Sequence, residues 1–248
     1  MQSEAFTHFY QAIQTLEAGN LDKQDLLTPR FLIEKEAELA LYYAPHNEWV
    51  NREARVVIAG ITPGWYQMKT AFEAARAGME LEMELNELLQ HTKRSARFAG
   101  TMRKNLIEML DGCGLPEHIG LSGAGELFGT RDDLLHTTSI IKYPVFKNGQ
   151  NYTGHSPAVY QSALLKKYAY EAFPKELNSL QSKVLLLIPL GKAVGEVIRH
   201  LQENHIIPSV PCLFGFPHPS GANGHRKKQF EEQKESFMKI IEHAFRTK

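Results

Sequence analysis

The sequence predicts an α/β protein: a three-layer αβα sandwich around a central, mostly parallel sheet of four strands, preceded by a helical N-terminal extension. Two observations lead to this fold class. Four short runs rich in aliphatic or β-branched residues are typical of strands that are buried on both faces of a sheet. Segments with apolar residues at three- and four-residue spacing separate these runs, which indicates helices that connect parallel strands.

The N-terminal extension is predicted to be helical. Apolar residues at helical spacing open the chain: Phe6, Phe9, Tyr10, Ile13 and Leu16. A second helix is predicted from Leu32 to Tyr43 and is broken before Pro45. We therefore assign residues 1–50 to a helical extension packed on the core and residues 51–248 to the α/β domain.

The elements of the α/β domain follow in alternation. Its four strands are predicted at 55–60, 133–138, 183–188 and 210–214. Helices are predicted at 68–90, 101–112 and 191–200, and a last helix ends near residue 245. The segments predicted to be irregular are 119–129 and 141–156. Because ligands of such sheets bind at the carboxyl ends of the strands, the loops after the strands are the candidate site.

Composition places the chain among ordinary globular proteins and excludes some classes. The 248 residues are 43% hydrophobic and 23% charged, and 28 basic side chains balance 28 acidic ones. A chain of this length can bury one core without a metal or disulfide. Two cysteines, Cys113 and Cys212, cannot build a four-thiolate metal site, and so few thiols are typical of a reducing compartment.

Neither a membrane nor a cofactor is expected as a partner. The first residues lack the basic patch and apolar run of a secretory signal, and no stretch of 18 apolar residues occurs, so a cytoplasmic protein is predicted. A monomer is expected. The 11 histidines show no metal-ligand spacing, which predicts no metal. The glycines at 123–129 have the wrong spacing for a dinucleotide loop, which predicts no cofactor.

A rigid, ligand-facing loop is predicted directly after the first strand, at Gly60-Ile-Thr-Pro-Gly64-Trp-Tyr-Gln. Gly60 permits a close approach of the backbone, and Pro63 stiffens the turn. Trp65 and Tyr66 supply flat surfaces. A second unusual loop follows the fourth strand, at 214–228, where His218 lies between two prolines and the chain continues into the basic run Arg226-Lys-Lys228.

The two loops resemble the signature motifs of the uracil-DNA glycosylase superfamily. That family has Gly-x-Asp/Asn-Pro-Tyr/Gly after its first core strand and His-Pro-Ser near its end, matched here by Gly60-Ile-Thr-Pro-Gly64 and His218-Pro-Ser220. The resemblance covers about 55–246. Gly64 is similar to the mismatch-specific and single-strand-selective branches. The resemblance implies that DNA, single- or double-stranded, is the partner, and that a damaged or mispaired base is flipped out and its N-glycosidic bond hydrolysed.

The resemblance also implies roles for individual residues. Thr62 and His218 take the catalytic positions, and His218 would donate to O2 of the departing base. Residues that would contact the base are Gly60, Ile61, Pro63, Gly64, Trp65, Phe98 and Thr137. Residues that would contact DNA phosphates are Thr101, Pro219, Ser220, Gly221, Asn223, His225, Arg226 and Lys227. Two assignments have an ordinary structural alternative: Phe98 as a helix-packing residue and His218 as a surface-turn histidine.

Two positions depart from the family pattern. Thr62 stands where the family has a water-activating Asp or Asn, and a hydroxyl can position a water but cannot act as a general base near neutral pH. Thr137 stands where the family has a base-reading Asn, so uracil specificity does not follow. His136, its neighbour, is predicted to pack against a helix. The sequence thus leaves three functions open: a monofunctional glycosylase, a nucleic-acid-binding protein without the chemistry, and an enzyme of free nucleosides.

The charges are unevenly distributed along the chain. Residues 1–140 carry 13 basic and 20 acidic side chains, a net of −7, whereas residues 141–248 carry 15 and 8, a net of +7. Three segments without acidic residues together carry 12 of the 28 basic side chains: 91–104, 141–170 and 226–228. This pattern predicts a confined basic track for DNA with weak non-specific affinity.

Overall fold

The structure, a computed structural model, describes residues 4–17, 19–180 and 184–246. The helices are α1 (Glu4–Gln14), α2 (Lys23–Leu26), α3 (Trp65–Glu80), α4 (Leu85–Ala96), α5 (Thr101–Gly112), α6 (Leu115–His118), α7 (Ala163–Lys166), α8 (Phe173–Asn178), α9 (Lys192–Glu203) and α10 (Arg226–Phe245). The strands are β1 (Leu32–Glu36), β2 (Leu39–Tyr42), β3 (Val56–Gly60), β4 (Leu135–Ser139), β5 (Val145–Lys147), β6 (Gln150–Asn151) and β7 (Leu186–Pro189). The protein is thus a mixed α/β structure with two sheets, of which one is parallel.

The chain divides into two compact units, which are described separately. The first unit comprises Met1–Val50, Thr62–Ala99 and Ile141–Tyr168, and the second comprises Asn51–Ile61, Gly100–Ile140 and Ala169–Lys248. The range 1–50, predicted as an extension, therefore forms one compact unit together with two later segments of the chain.

The second unit contains the parallel sheet, in the order β4-β3-β7. Every residue of the three strands is buried, as expected for a sheet covered on both faces. The strands predicted at 55–60, 133–138 and 183–188 are confirmed with small shifts in their bounds, although Lys183 lies outside the described residues. β3 and β7 were recognisable as aliphatic runs because burial on both faces leaves little room for polar residues, whereas β4 is buried although it is polar after Leu135.

The predicted fourth parallel strand, at 210–214, is wrong. Only one bridge forms, between Cys212 and Leu187. Leu187 donates to Pro211 O and accepts from the N–H of Leu213, but the pairing goes no further. Pro208 and Pro211 have no N–H to donate to a ladder, so the described part of the parallel sheet has three strands.

The first unit contains an antiparallel sheet in the order β1-β2-β5-β6. The helix predicted from Leu32 to Tyr43 is therefore wrong, since this segment forms a hairpin that turns at Ala37, whose φ is +49°. Glu, Lys, Ala and Leu favour helix, but pairing of β2 with β5 about 100 residues later overrides that preference. Leu39 and Leu41 alternate with half-buried neighbours, which is the strand period.

The segment 141–156, predicted to be irregular, holds the last two strands of this sheet. β5 and β6 are joined at Asn148-Gly149, both with positive φ, which is the usual chemistry of a two-residue hairpin turn. The predicted helix at 68–90 is divided into α3 and α4, and Glu82 between them has a φ of +50°. The remaining predicted helices correspond to α1, α5, α9 and α10.

Aromatic packing forms much of the core of the first unit. The ring of Phe9 stacks on Tyr43 at 4.1 Å between centroids, and Phe31 meets Phe72 edge to face at 4.7 Å. Because Phe9, Phe31 and Tyr43 come from the N-terminal segment, that segment supplies core to this unit. Over the described ranges, no helix is both long and apolar enough to cross a bilayer.

Candidate functional site

The predicted site residues are distributed over both units. The first unit holds Thr62, Pro63, Gly64, Trp65 and Phe98. The second holds Gly60, Ile61, Thr101, Thr137, His218, Pro219, Ser220, Gly221, Asn223, His225, Arg226 and Lys227. Each set is described within its own unit.

In the second unit, the loop that follows the Cys212 bridge is joined to the carboxyl end of the parallel sheet. Gly60 at the end of β3 lies beside Ser139 of β4. Pro189, the last residue of β7, pairs with Ala59, which directly precedes Gly60. Gly191, directly after β7, donates its N–H to Phe216 O at 2.9 Å and lies against His218. His218 is thereby placed beside the end of β7, where parallel sheets bind ligands.

The ring of His218 has a defined hydrogen-bonding state. The N–H of Ser220 donates to His218 Nδ1 at 3.2 Å, so Nδ1 is unprotonated and Nε2 carries the hydrogen of the neutral ring. Burial lowers the pKa of His218 below its ordinary value of 6.5. Near neutral pH, His218 is therefore an uncharged imidazole with Nε2–H as its donor.

Side-chain donors hold three successive carbonyl oxygens of this loop. Asn223 Nδ2 donates to His218 O (3.3 Å), Asn105 Nδ2 to Pro219 O (2.8 Å) and Arg226 Nη1 to Ser220 O (3.2 Å). Arg226 Nη2 also donates to Asn105 Oδ1 at 3.1 Å. Arg226, predicted to contact phosphate, thus has two internal partners. Asn105 was missed, because nothing in the sequence of α5 marks which polar residue reaches a carbonyl.

Other predicted DNA contacts lie around this loop. Gly221, His225 and Lys227 are exposed, and the Ser220 hydroxyl accepts the N–H of Ala222. α10 begins with three basic residues and has no acid in its first turn. Cations at the positive end of a helix dipole are unfavourable unless an anion is nearby, so this terminus favours an anionic partner. Thr101 is exposed, and the N-cap of α5 is Gly100.

The carboxyl half of β4 consists of three buried residues with hydroxyl groups, Thr137, Thr138 and Ser139. Within the described ranges, Thr137 Oγ1 and Thr138 Oγ1 have no hydrogen-bond partner. His136, as predicted, contacts a helix, since its Nε2 lies 3.0 Å from Glu176 Oε1 on α8. Side chains alternate along a strand, so Thr138 lies on the same face of the sheet as His136, and Thr137 lies on the opposite face. An unpaired buried hydroxyl costs about 1–3 kcal/mol, which a ligand or water would recover.

In the first unit, the Thr62 hydroxyl is held on two sides. Its Oγ1 donates to Tyr143 O at 2.7 Å and accepts the N–H of Val145 at 3.0 Å. The hydroxyl hydrogen is therefore committed, and one lone pair remains to accept from a water. The sequence indicated the absence of a base at this position but not this tie to the segment before β5.

The segment before β5 is itself anchored by a buried carboxylate. Glu48, whose side chain is 2% exposed, accepts from the Tyr143 hydroxyl at 2.7 Å and from Lys142 Nζ at 2.8 Å. Tyr143 thus connects Glu48, through its ring hydroxyl, to Thr62, through its carbonyl oxygen. Sequence reasoning did not single out Glu48, since it lies in the segment assigned to a helical extension.

The remaining first-motif residues begin α3. The N–H of Trp65 donates to Asn151 Oδ1 at 2.9 Å, so β6 caps the helix that Gly64 cannot cap. Lys23 Nζ lies 6.0 Å from the Trp65 ring and donates to Gly149 O. Ile61 and Pro63 are buried.

Phe98, which the resemblance makes a base-stacking residue, is buried and has a φ of +48°. Positive φ is uncommon for a large residue and is held only by surrounding structure. Its stacking role stays a prediction.

The predicted basic track is smaller than the sequence indicates. In segment 141–170, lysines pair with acids of the N-terminal segment: Lys142 with Glu48, Lys147 with Glu38 and Lys167 with Glu34. In segment 91–104, Lys93 and Arg97 are each 2% exposed. In segment 141–170 three lysines therefore pair with acids, whereas Lys166 is exposed, and in segment 91–104 Arg94 and Lys104 are exposed.

Comparison with known proteins places the chain beside one curated relative. No family model matches the sequence. A crystal structure of SMUG2 from Pedobacter heparinus matches with a TM-score of 0.42 and 14% identity, covering 76% of each chain. The "Uncharacterized protein YoxB" of Bacillus subtilis (strain 168) is 51% identical over 223 residues, which are 90% of this chain and 87% of that protein. The chain therefore belongs to the YoxB family.

Proposed function

We propose that the protein is a monofunctional DNA glycosylase that flips a damaged or deaminated base out of DNA and hydrolyses its N-glycosidic bond. The observation that carries the proposal is the state of His218: a neutral imidazole at the end of the parallel sheet, with Nδ1 occupied by Ser220 N–H and Nε2–H as its donor. The motif resemblance supplies the reaction class.

The chemistry needs such a donor. As the glycosidic bond of a pyrimidine such as uracil breaks, its electron pair leaves with the base, and negative charge develops on the base oxygen O2. A neutral N–H aimed at that oxygen stabilises the charge without a proton transfer. Water then bonds to the sugar carbon and loses a proton to solvent or to the departed base. Neither motif contains a lysine for a Schiff base, which favours simple hydrolysis.

Two further features support an anionic polymer as substrate. Gly221 and His225 are exposed beside His218, and α10 places Lys227 and Lys228 at the positive end of its dipole. On β4, the buried hydroxyl of Thr137 has no hydrogen-bond partner in the described ranges. It lies at the position where the uracil-DNA glycosylase superfamily, which the motifs resemble, has the Asn that contacts the base.

The test is an excision assay on oligonucleotides that carry uracil, 5-hydroxymethyluracil, xanthine or hypoxanthine, in single and double strands. We expect abasic product from at least one of them. His218→Ala should lower the rate about 10²–10³-fold, as loss of an oxyanion donor does. His118→Ala, an exposed histidine on α6, is the matched control and should leave the rate unchanged. No abasic product from any substrate would overturn the proposal.

A second candidate is a DNA-binding protein that has lost the chemistry. The observation that favours it is the Thr62 hydroxyl, whose hydrogen is committed to Tyr143 O and which cannot serve as a base. This candidate predicts salt-sensitive binding to the same oligonucleotides, with no abasic product and no loss of binding in His118→Ala. Excision at any measurable rate that depends on His218 would exclude it.

A further inference from the structure

We propose that Asn105 is a positioning residue for His218: through Pro219 O it fixes the peptide whose N–H sets the tautomer of the imidazole. The inference rests on the proposed role of His218, and it concerns a side chain on α5 that neither motif contains.

The contacts form one continuous path within the second unit. Asn105 Nδ2 donates to Pro219 O at 2.8 Å, and Ser220 N–H donates to His218 Nδ1 at 3.2 Å. Pro219 O and Ser220 N–H belong to the same peptide group, which is planar and trans, so they point in opposite directions. Holding the oxygen therefore aims the N–H, and the N–H decides which ring nitrogen carries the hydrogen.

The Asn105 amide is itself oriented. Arg226 Nη2 donates to Asn105 Oδ1 at 3.1 Å. A guanidinium only donates and a carbonyl only accepts, so the amide has one possible orientation, with its oxygen toward Arg226 and its nitrogen toward Pro219. The amide offers its donor and its acceptor on separate atoms, and asparagine has a shorter reach than glutamine.

Arg226 also binds the carbonyl oxygen of the next peptide group. Its Nη1 donates to Ser220 O at 3.2 Å, while Asn223 Nδ2 holds His218 O at 3.3 Å. The Asn105–Arg226 pair thus joins α5 and the first residue of α10 to one turn of the loop. A lysine at 226 has a single nitrogen and lacks the planar fork that serves both acceptors.

The decisive variant is Asn105→Asp. It keeps the size of the side chain and an acceptor for Arg226, but it replaces the donor to Pro219 O by a second acceptor. Asn178→Ala is the matched control, because it removes another asparagine–carbonyl hydrogen bond of the same unit, to Ile206 O. Thermal unfolding of each variant shows whether it is folded.

The first measurement is nitrogen NMR of the His218 ring in the full-length protein at pH 7, with no DNA present. In the wild type and in Asn178→Ala we expect Nε2 protonated and Nδ1 unprotonated. In Asn105→Asp we expect a substantial population with the hydrogen on Nδ1, and a pKa of His218 closer to 6.5. If Asn105→Asp folds and keeps the wild-type tautomer and pKa, the proposal is wrong. Should Asn105→Asp fail to fold, Arg226→Lys takes its place, with the same two outcomes.

The second measurement is single-turnover excision. Asn105→Asp should lower the rate about 10- to 100-fold, as misaligned catalytic groups do, with oligonucleotide affinity within about twofold of wild type. An equal loss of affinity would overturn a positioning role. The two proposals fail separately: a wild-type protein without excision defeats the proposed function, whereas the NMR result alone decides whether Asn105 orients His218.

Discussion

The hydroxyl of Thr62 ties the residue to the backbone before β5 by two hydrogen bonds. Its two backbone partners, Tyr143 O and Val145 N–H, lose their hydrogen bonds in Thr62→Val, which should lower the free energy of unfolding by about 1–3 kcal/mol. Thr62→Ser keeps both bonds and should remain near wild type. Thr62→Asp places an acceptor against the Tyr143 carbonyl, so we expect destabilisation and no gain in excision. Denaturant unfolding of the three variants checks this, and equal stability of the Ser and Val variants would contradict it.

His46 gives the protein a predicted pH dependence. Burial first, and then the ammonium groups of Lys93 and Lys142, hold the pKa of His46 well below 6.5. Below pH 6.5 the unfolded chain binds a proton that the folded protein does not, so stability falls as the pH falls and is constant above that range. His218, with a pKa lowered by burial, acts in the same direction.

The measurement is the free energy of unfolding between pH 7 and pH 5 for wild type and His46→Gln. The slope with pH should be smaller in the variant, even if the variant is less stable at pH 7. His118→Gln, at an exposed position, is the control and should keep the wild-type slope. Identical slopes for wild type and His46→Gln would show that His46 does not bind its proton more weakly in the folded state.

At the scale of elements, the β1–β2 hairpin can be tested against the helix that its composition favours. Leu41 is fully buried and pairs with Val145, so Leu41→Ala should cost about 2–5 kcal/mol. Ala40 is half-buried on the other face of β2. Ala40→Val should therefore leave stability unchanged or raise it, because β-branched residues favour strands and disfavour helices. A loss in Ala40→Val comparable to that in Leu41→Ala would contradict the hairpin.

An element could be predicted from the sequence where neighbouring residues determine its structure, and not where a distant segment of the chain does. β3 and β7 were predictable because a strand that is buried on both faces needs apolar side chains at four or five consecutive residues. The hairpin was not predictable, because its partner β5 lies about 100 residues away. The predicted strand at 210–214 forms one bridge, because Pro208 before it and Pro211 within it have no N–H to donate. In the site, His218 follows from its motif, whereas Asn105 acts on a backbone oxygen, whose position no side-chain pattern records.

For the whole molecule, three ion pairs join acids of the N-terminal segment to lysines of segment 141–170. Glu34, Glu38 and Glu48 pair with lysines of segment 141–170, and Lys93 and Arg97 are buried. These ion pairs and buried cations reduce the positive charge that segments 91–104 and 141–170 offer to DNA. Exposed cations remain in all three basic segments. Lys227 and Lys228 at the start of α10 follow directly on the loop that contains His218, so non-specific DNA binding is expected to depend chiefly on them.

This expectation can be measured as a salt dependence. Two or three phosphate contacts give a slope of about −2 to −3 for log affinity against log salt concentration on double-stranded DNA. This slope is much shallower than that of a strongly basic DNA-binding protein. Lys227→Gln combined with Lys228→Gln should reduce the slope by about 1–2 and weaken all sequences alike. Lys147→Gln is the matched control: its ammonium faces Glu38, so its removal should leave the slope unchanged. Equal effects of the two changes would mean that segment 141–170 contacts DNA despite its ion pairs, and that the acids of the N-terminal segment release their lysines on binding.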